Sequence, residues 1–365
     1  MVYIKIIIAY ITMLSQLFTP IFALINNRGE KAFFEDWSVQ QEYTSQYAAE
    51  LEKRPGKDFT VLNLTDIQMV DKEEFGIEGE LAKATIRKLV EETDPDLITL
   101  SGDNAWDNAA YMDITNEIDS YGIPWAPVMG NHDGGGCVSE FWCAYQFASA
   151  KNCLFKFGPA DMGYGNYIIN VTENGEIIHT LFMVDTHSDI QQDNVNGKKG
   201  SGYDHLWANQ IEWYRWAVEG IAKTQGNVVE STVIMHIPVY EYKTAWNEAG
   251  YDAATGTFTT DKYSDSFGMN CEGICCPPEN NGFFAVCKEL GSTKNMIAGH
   301  DHVNDSSIMY DGIRLSYSLK CGSGGYWIND MNGGTVLNIT SDGTGTVSHV
   351  FIDQHCLGFD LPSQD

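Results

Sequence analysis

Phe59-Thr-Val-Leu-Asn-Leu-Thr65 runs directly into Asp66-Ile67-Gln68, and a second apolar run, Asp96-Leu-Ile-Thr-Leu-Ser101, runs into Gly102-Asp103-Asn104. Short apolar runs of this length read as strands. Between them, Glu78 to Glu92 carries a helical pattern; a second helical stretch, Ala109 to Ser120, precedes the strand Trp125-Ala-Pro-Val-Met129. Strands alternating with helices predict right-handed βαβ units and a largely parallel sheet in this half of the chain. Open α/β sheets place ligands beyond the carboxyl ends of their strands. A carboxylate closing a strand is therefore a candidate functional group.

Working outward, Tyr167 to Val171 and Ile177 to Val184 predict a hairpin around Asn174-Gly175, a strong short-range turn signal. A helix near Leu206 to Thr224 and a strand at Val228 to Met235 follow. Tyr240 to Asn281 reads as loop, and strands return at 295–298, 307–310, 313–317, 335–339 and 346–352. These last strands suit a second sheet, giving two packed sheets with helices outside. No repeat, low-complexity tract or Pro-rich linker divides the chain, so one domain is expected at 59–357. It is preceded by an extension at 24–58 and followed by a tail at 358–365.

With 50 acidic against 22 basic residues the formal net charge is -28, which repels a nucleic-acid backbone and an anionic membrane surface. An anionic substrate is still admissible where metal cations dominate the field of one cleft. Lys5 followed by the mostly apolar run Ile6 to Leu24, with Ala23 at a cleavage position, reads as a secretory signal peptide over 1–23. An uncleaved signal anchor is the alternative, since the run is nearly long enough to span a bilayer. The expected location is outside the cell or in an endomembrane or lysosome-like lumen, with no membrane span after cleavage. Nine cysteines in an exported chain predict disulfides, with at least one thiol left over. Cys137, Cys143 and Cys153 form one cluster and Cys271, Cys275, Cys276 and Cys287 another, both placed to pin loops. A zinc knuckle at Cys271, Cys275 and Cys276 lacks a nearby His. Of four sequons, Asn63 and Asn304 fall in a strand and a motif loop, leaving Asn170 and Asn338 as glycosylation candidates.

Five motifs fall at or just after strand ends: Thr65-Asp66-Ile67-Gln68, Gly102-Asp103-Asn104, Gly130-Asn131-His132-Asp133, Met235-His236-Ile237-Pro238 and Gly299-His300-Asp301-His302. Each alone has a plainer reading. Asp66 and Asp103 could cap turns or helices, and His132 and His236 could be structural histidines. Together the plain readings must explain every polar strand terminus separately. His300 and His302, two residues apart in a loop, can aim both rings to one side, with Asp301 orienting them. Imidazole and carboxylate together suit zinc, iron or manganese.

The set resembles the calcineurin-like metallophosphoesterases, whose pattern is DxH, GD, GNH followed by D or E, an isolated H, and GHxH. Four of the five blocks match, in the correct order, from Asp66 to His302. Similarity to the purple-acid-phosphatase-like and Dcr2-like branch is carried by His236-Ile-Pro-Val-Tyr-Glu241, by Gly299-His-Asp-His-Val-Asn-Asp305, and by Gln210 with Trp213. The resemblance implies a four-layer αββα sandwich of two mixed β-sheets flanked by helices. It also implies two divalent or mixed-valence metal ions (manganese, zinc, iron or magnesium) bridged by Asp103 and a hydroxide. One ion would be held by Asp66, Asp103, His302 and Gln68, the other by Asp103, Asn131, His236 and His300. His132 would contact the phosphate and protonate the leaving oxygen, with Asp133 fixing its orientation.

Gln68 departs from the pattern, which has His there. An amide oxygen is a neutral and weaker donor, and the tyrosinate of purple acid phosphatases is replaced here by Trp106. The expectation is looser metal binding on that side, a shift towards manganese or magnesium, and no purple colour; a bystander role for Gln68 is the alternative. His187, His205, Tyr240 and Glu241 are further cleft candidates. His179, His349 and His355 read as structural or exposed. The expected activity is hydrolysis of a small phosphorylated substrate by a phosphomonoesterase. The alternatives are a phosphodiesterase on nucleotides or sphingomyelin-like lipids, and a metal-binding scaffold that has lost turnover.

Overall fold

The computed structural model describes residues 29–70, 77–134, 138–190, 202–263 and 265–361. The expected signal segment 1–23 and Cys137 lie outside these residues. In chain order the elements begin with β1 (Ala48–Glu52), β2 (Phe59–Leu64), α1 (Glu78–Thr93), β3 (Leu97–Ser101), α2 (Asn108–Ser120), β4 (Trp125–Val128) and α3 (Glu140–Ser149). Next come β5 (Tyr167–Glu173), β6 (Glu176–Met183), α4 (Ala208–Gln225), β7 (Ser231–Met235), α5 (Glu241–Ala249), and a ribbon of β8 (Tyr251–Asp252) and β9 (Thr257–Phe258). The chain closes with α6 (Phe283–Leu290), β10 (Thr293–Ala298), β11 (Ser307–Tyr310), β12 (Ile313–Tyr317), β13 (Gly333–Ile339) and β14 (Gly345–Phe351).

Local chemistry explains several boundaries. Asp107 caps α2 by accepting from Ala109 N and Ala110 N, each at 3.0 Å. α4 stops where Gly226 takes a left-handed φ of 77°. The β5–β6 hairpin turns at Asn174 and Gly175, whose φ values of 54° and 84° are the positive pair a tight hairpin needs.

Two mixed sheets result. One has the order β14-β13-β2-β3-β4 and the other β1-β5-β6-β7-β10-β12-β11. The larger sheet alternates: Ile169, Leu181, Met183, Ile234 and Ile297 join a core shared with the smaller sheet, α1 and α2. Their neighbours Ile168, Phe182, Val233, Met235 and Met296 join a second core with residues of α4, α5 and α6. This period of two gives the helix, sheet, sheet, helix layering.

Several expectations change. The last two strands do not build the second sheet: β13 runs antiparallel to β2, with Val336 opposite Leu62, and β14 pairs with β13. Period-two patterning identifies a strand but not its partner, and the open edge of β2 recruits these two. Ala48–Glu52, within the expected extension, pairs parallel to β5. The expected loop 240–281 contains α5, whose buried Tyr242, Ala245 and Ala249 share one face, and α3 and α6 are likewise helices absent from the sequence reading.

The expected disulfides are not formed among the described residues: Cys143, Cys153, Cys271, Cys275, Cys276, Cys287, Cys321 and Cys356 are free. Cys143 and Cys287 are each buried among apolar side chains, as small hydrophobic residues. Asn170 is also corrected as a glycosylation candidate. It is fully buried and bonded to Tyr43 and Thr180, whereas Asn338 is partly exposed.

Candidate metal centre

The carboxyl ends of β2, β3, β4, β7 and β10 meet at one place, and each delivers part of the centre. Asp66 and Gln68 follow β2, Asp103 follows β3, Asn131 and His132 follow β4, His236 follows β7, and His300 and His302 follow β10. Asp66, Gln68, Asp103 and His300 hold positive φ values of 49°, 47°, 52° and 78°. Such conformations cost about 1–3 kcal/mol each outside glycine and concentrate at functional sites. The cores beneath can sustain them, since each fully buried large apolar side chain contributes roughly 1.5–3 kcal/mol. Gly102 permits one close approach. Its φ is +93°, and a Cβ there would lie 2.5 Å from His236 Nδ1.

Asp103 is the hub. Its Oδ1 lies 3.3 Å from His236 Nε2 and accepts from His132 N at 2.9 Å, while Oδ2 accepts from Gln68 Nε2 at 3.0 Å. On the Oδ1 side, His236 Nε2 is 2.9 Å from Asn131 Oδ1 and 3.3 Å from His300 Nδ1. On the Oδ2 side, His302 Nε2 is 3.4 Å from Asp66 Oδ1 and 3.1 Å from Gln68 Nε2. The seven residues Asp66, Gln68, Asp103, Asn131, His236, His300 and His302 are thus brought together. All except Asn131 are buried.

The donor set fits a divalent cation. His236 Nδ1 faces Ser101 O at 2.8 Å and His302 Nδ1 faces Tyr326 O at 3.0 Å. A carbonyl only accepts, so in both rings Nδ1 carries a hydrogen and Nε2 is the atom turned into the centre, where a cation can take the place of any proton on it. Asp66 Oδ1 and His300 Nε2 are buried without a hydrogen-bond partner, and ligand atoms of Asp66, Asp103 and His236 lie within 4.8 Å of one another. Three imidazoles, two carboxylates and an amide oxygen suit a borderline metal.

The electrostatics agree. Burial would raise the Asp66 carboxyl, but His302, His236 and Lys320 outweigh it and hold it well below the usual carboxylate range. Burial disfavours a charged His236, yet Asp103 and Asp66 overcome this and lift the imidazole to about 10. His300 goes the other way, pushed down to about 3 by burial and by His236. A field that draws a proton onto His236 also attracts a metal cation.

His132 sits at the rim, its side chain 42% exposed, with Nε2 3.9 Å from Asp103 Oδ2 and its ring 4.3 Å from the Trp106 ring. Asp133 does not orient it as expected. Its carboxylate turns inward to accept from Gly130 N at 2.8 Å, Asn104 N at 2.9 Å, Asn104 Nδ2 at 2.8 Å and the Tyr111 hydroxyl. Burial, then Asp103, raises the Asp133 carboxyl to about 6. Asp133 therefore shapes the loop that presents Asn131 and His132. His187 is stacked on Trp207 at 3.9 Å and bonded to Gln210 at 2.8 Å. His205 pairs with Asp204, and Glu241 accepts from Asn280 Nδ2.

Lys320 was not among the sequence candidates. It is fully buried, and its Nζ donates to Asp66 O at 2.6 Å and Gln68 Oε1 at 3.2 Å. Burial, opposed by Asp66 and Asp103, pushes its ammonium down to about 8. The available signal was a lysine in the otherwise uncharged run Leu315-Ser-Tyr-Ser-Leu-Lys-Cys321.

Comparison with known proteins accords with this geometry. The chain is 27% identical over 271 residues to a probable inactive purple acid phosphatase 14 of Arabidopsis thaliana, covering 66% of this chain and 62% of that protein. It is 27% identical over 256 residues to the phosphatase DCR2 of Saccharomyces cerevisiae, covering 66% of this chain and 41% of that protein. The matches therefore span less than two thirds of these relatives' own length. A solved dimetal phosphatase from Danio rerio aligns with a TM-score of 0.46 at 12% identity, covering 77% of this chain and 95% of that one. Residues 59–304, which carry every strand end of the centre, match the calcineurin-like phosphoesterase family model, and the chain belongs to that family.

Proposed function

We propose that this protein is an exported, metal-dependent phosphomonoesterase acting on a small phosphorylated substrate. The reading is carried by one observation: the buried Asp66 carboxylate and three imidazoles converge around the Asp103 carboxylate, while the exposed His132 stands 3.9 Å from it. Two cation positions flank Asp103, one beside Asn131, His236 and His300 and the other beside Asp66 and His302. Cations bound there supply charge neutralisation for the phosphoryl oxygens and a lowered pKa for water. The chain's own part is to orient them, to hold the ester at the rim, and to deliver a proton from His132 to the leaving oxygen. Trp106 restricts the His132 ring by packing on it. Export rests on the apolar run Ile6 to Leu24.

The test is elemental analysis of the purified protein beside hydrolysis of mono- and bis-nitrophenyl phosphate, across added manganese, zinc, iron and magnesium. Faster release from the monoester supports the reading, and faster release from the diester favours the phosphodiesterase alternative. A second reading, a metal-binding scaffold without turnover, is favoured by Gln68, whose amide nitrogen lies between Asp103 and His302. Bound metal with no turnover on either substrate selects it.

A further inference from the structure

On the Asp66 side of the centre, Asp66 Oδ1 has no hydrogen-bond partner, but the Asp103 and His302 atoms are already engaged by the protein itself. Lys320 is held rigidly: Cys321 N donates to Thr65 O and Gly333 N donates to Lys320 O, both at 3.0 Å. Its ammonium can only donate, so the Gln68 carboxamide oxygen, 3.2 Å away, turns toward it. The amide NH2 then faces the centre, where it reaches Asp103 Oδ2 at 3.0 Å and His302 Nε2 at 3.1 Å. Those are two of the lone pairs a cation on this side would use. Gly325 lets the following segment close over the amide: a Cβ there would lie 2.8 Å from Gln68 Oε1, at a φ of +72°. The other side differs. His236 Nε2 lies 2.9 Å from Asn131 Oδ1 and 3.3 Å from Asp103 Oδ1, and among the described residues no side-chain amide hydrogen or lysine ammonium stands between these atoms and a cation.

We propose that Lys320, acting through Gln68, makes the two cation positions unequal. The position among Asp103, Asn131, His236 and His300 binds a divalent ion tightly. The position among Asp66, Asp103 and His302 binds one at least about tenfold more weakly, the scale on which groups supporting a metal ligand alter affinity. Lys320 is a positioning residue: it fixes which end of an amide faces the metal and adds a fixed positive charge behind it. The inference rests on the metal-centre reading above.

The experiment is calorimetric titration of the metal-free full chain with manganese. The wild type is expected to show one tight and one weak event, with dissociation constants at least about tenfold apart. Lys320→Met removes the charge and frees the amide oxygen to turn inward. It is expected to tighten the weak event at least about tenfold and leave the tight one unchanged. Lys320→Arg is expected to keep the inequality. Should Lys320→Met fail to fold, Gln68→His provides an independent test, since it removes the amide N–H groups and is also expected to tighten only the weak event. Two equal events in the wild type overturn the inference but leave the metal-centre reading standing. A weak event unmoved by either variant that folds has the same result. No binding by the wild type overturns both.

Discussion

On one side of Asp103, His236 Nε2 and Asn131 Oδ1 face each other at 2.9 Å. On the other, Gln68 donates its amide hydrogens to Asp103 and His302 while Lys320 holds its oxygen. The two sides draw on the same hub and similar residue types. One side leaves its ring nitrogen and oxygens open to a cation, and the other has amide hydrogens already placed on two of its ligand atoms. Buried polar groups are satisfied or costly, so ligand identity alone does not define a metal position. The groups behind the ligands decide whether their lone pairs are available.

The comparison can be broken most severely at its centre. Asp103→Ala removes the carboxylate both sides share. Because disturbing a ligand's supporting partner already costs about 10–100-fold, loss of the hub is expected to lower kcat/KM by more than about 100-fold. Elemental analysis should show depletion of both ions. His132→Ala leaves both sides intact and should lower kcat by about 10²–10⁴-fold with unchanged metal content; parallel loss of metal would move His132 into the centre itself.

Asp133→Ala sharpens the contrast through stability. It removes the acceptor of Gly130 N, Asn104 N and the Tyr111 hydroxyl behind the Asn131 loop, while Asn104 Nδ2 keeps its bond to Val128 O. At about 1–3 kcal/mol for each unsatisfied buried group, a loss of about 3 kcal/mol or more is expected. Denaturant unfolding would measure it, and the tight metal event should weaken more than the weak one.

The smallest effect on the metal centre is a control outside both sides. His179 is buried with Nδ1 2.8 Å from Gly343 O and Nε2 3.0 Å from Thr232 Oγ1. Burial pushes it down to about 4, against the Gly343 bond. Its folded value lies below the ordinary imidazole value near 6.5, so its stabilisation is complete above that pH and is lost as the pH falls toward 4. His179→Gln should flatten the stability profile over that window by at most about 1.4 kcal/mol per pH unit, without altering metal binding.

His179 also shows what separates a structural histidine from a functional one, and the sequence ranks the two well. His179, inside a strand, finds both its partners within the fold, whereas His236, His300 and His302 follow strand ends with a ring nitrogen facing the centre. Strand-end motifs at Asp66, Asp103, Asn131, His236, His300 and His302 were legible because strand termination is a local signal. The partner of β13 was not, since period-two patterning carries no address. α5 escaped because a nine-residue helix among Gly, Asp and Thr leaves a faint pattern.

By itself the sequence determined that several strands end in carboxylates and imidazoles and that the chain carries a family's motifs in order, because both are properties of neighbouring residues. Only the tertiary structure decided that Lys320, 252 residues from Gln68, turns that amide and that Asp133 faces away from His132. Those orientations come from hydrogen-bond partners brought together by folding, and no local pattern encodes them.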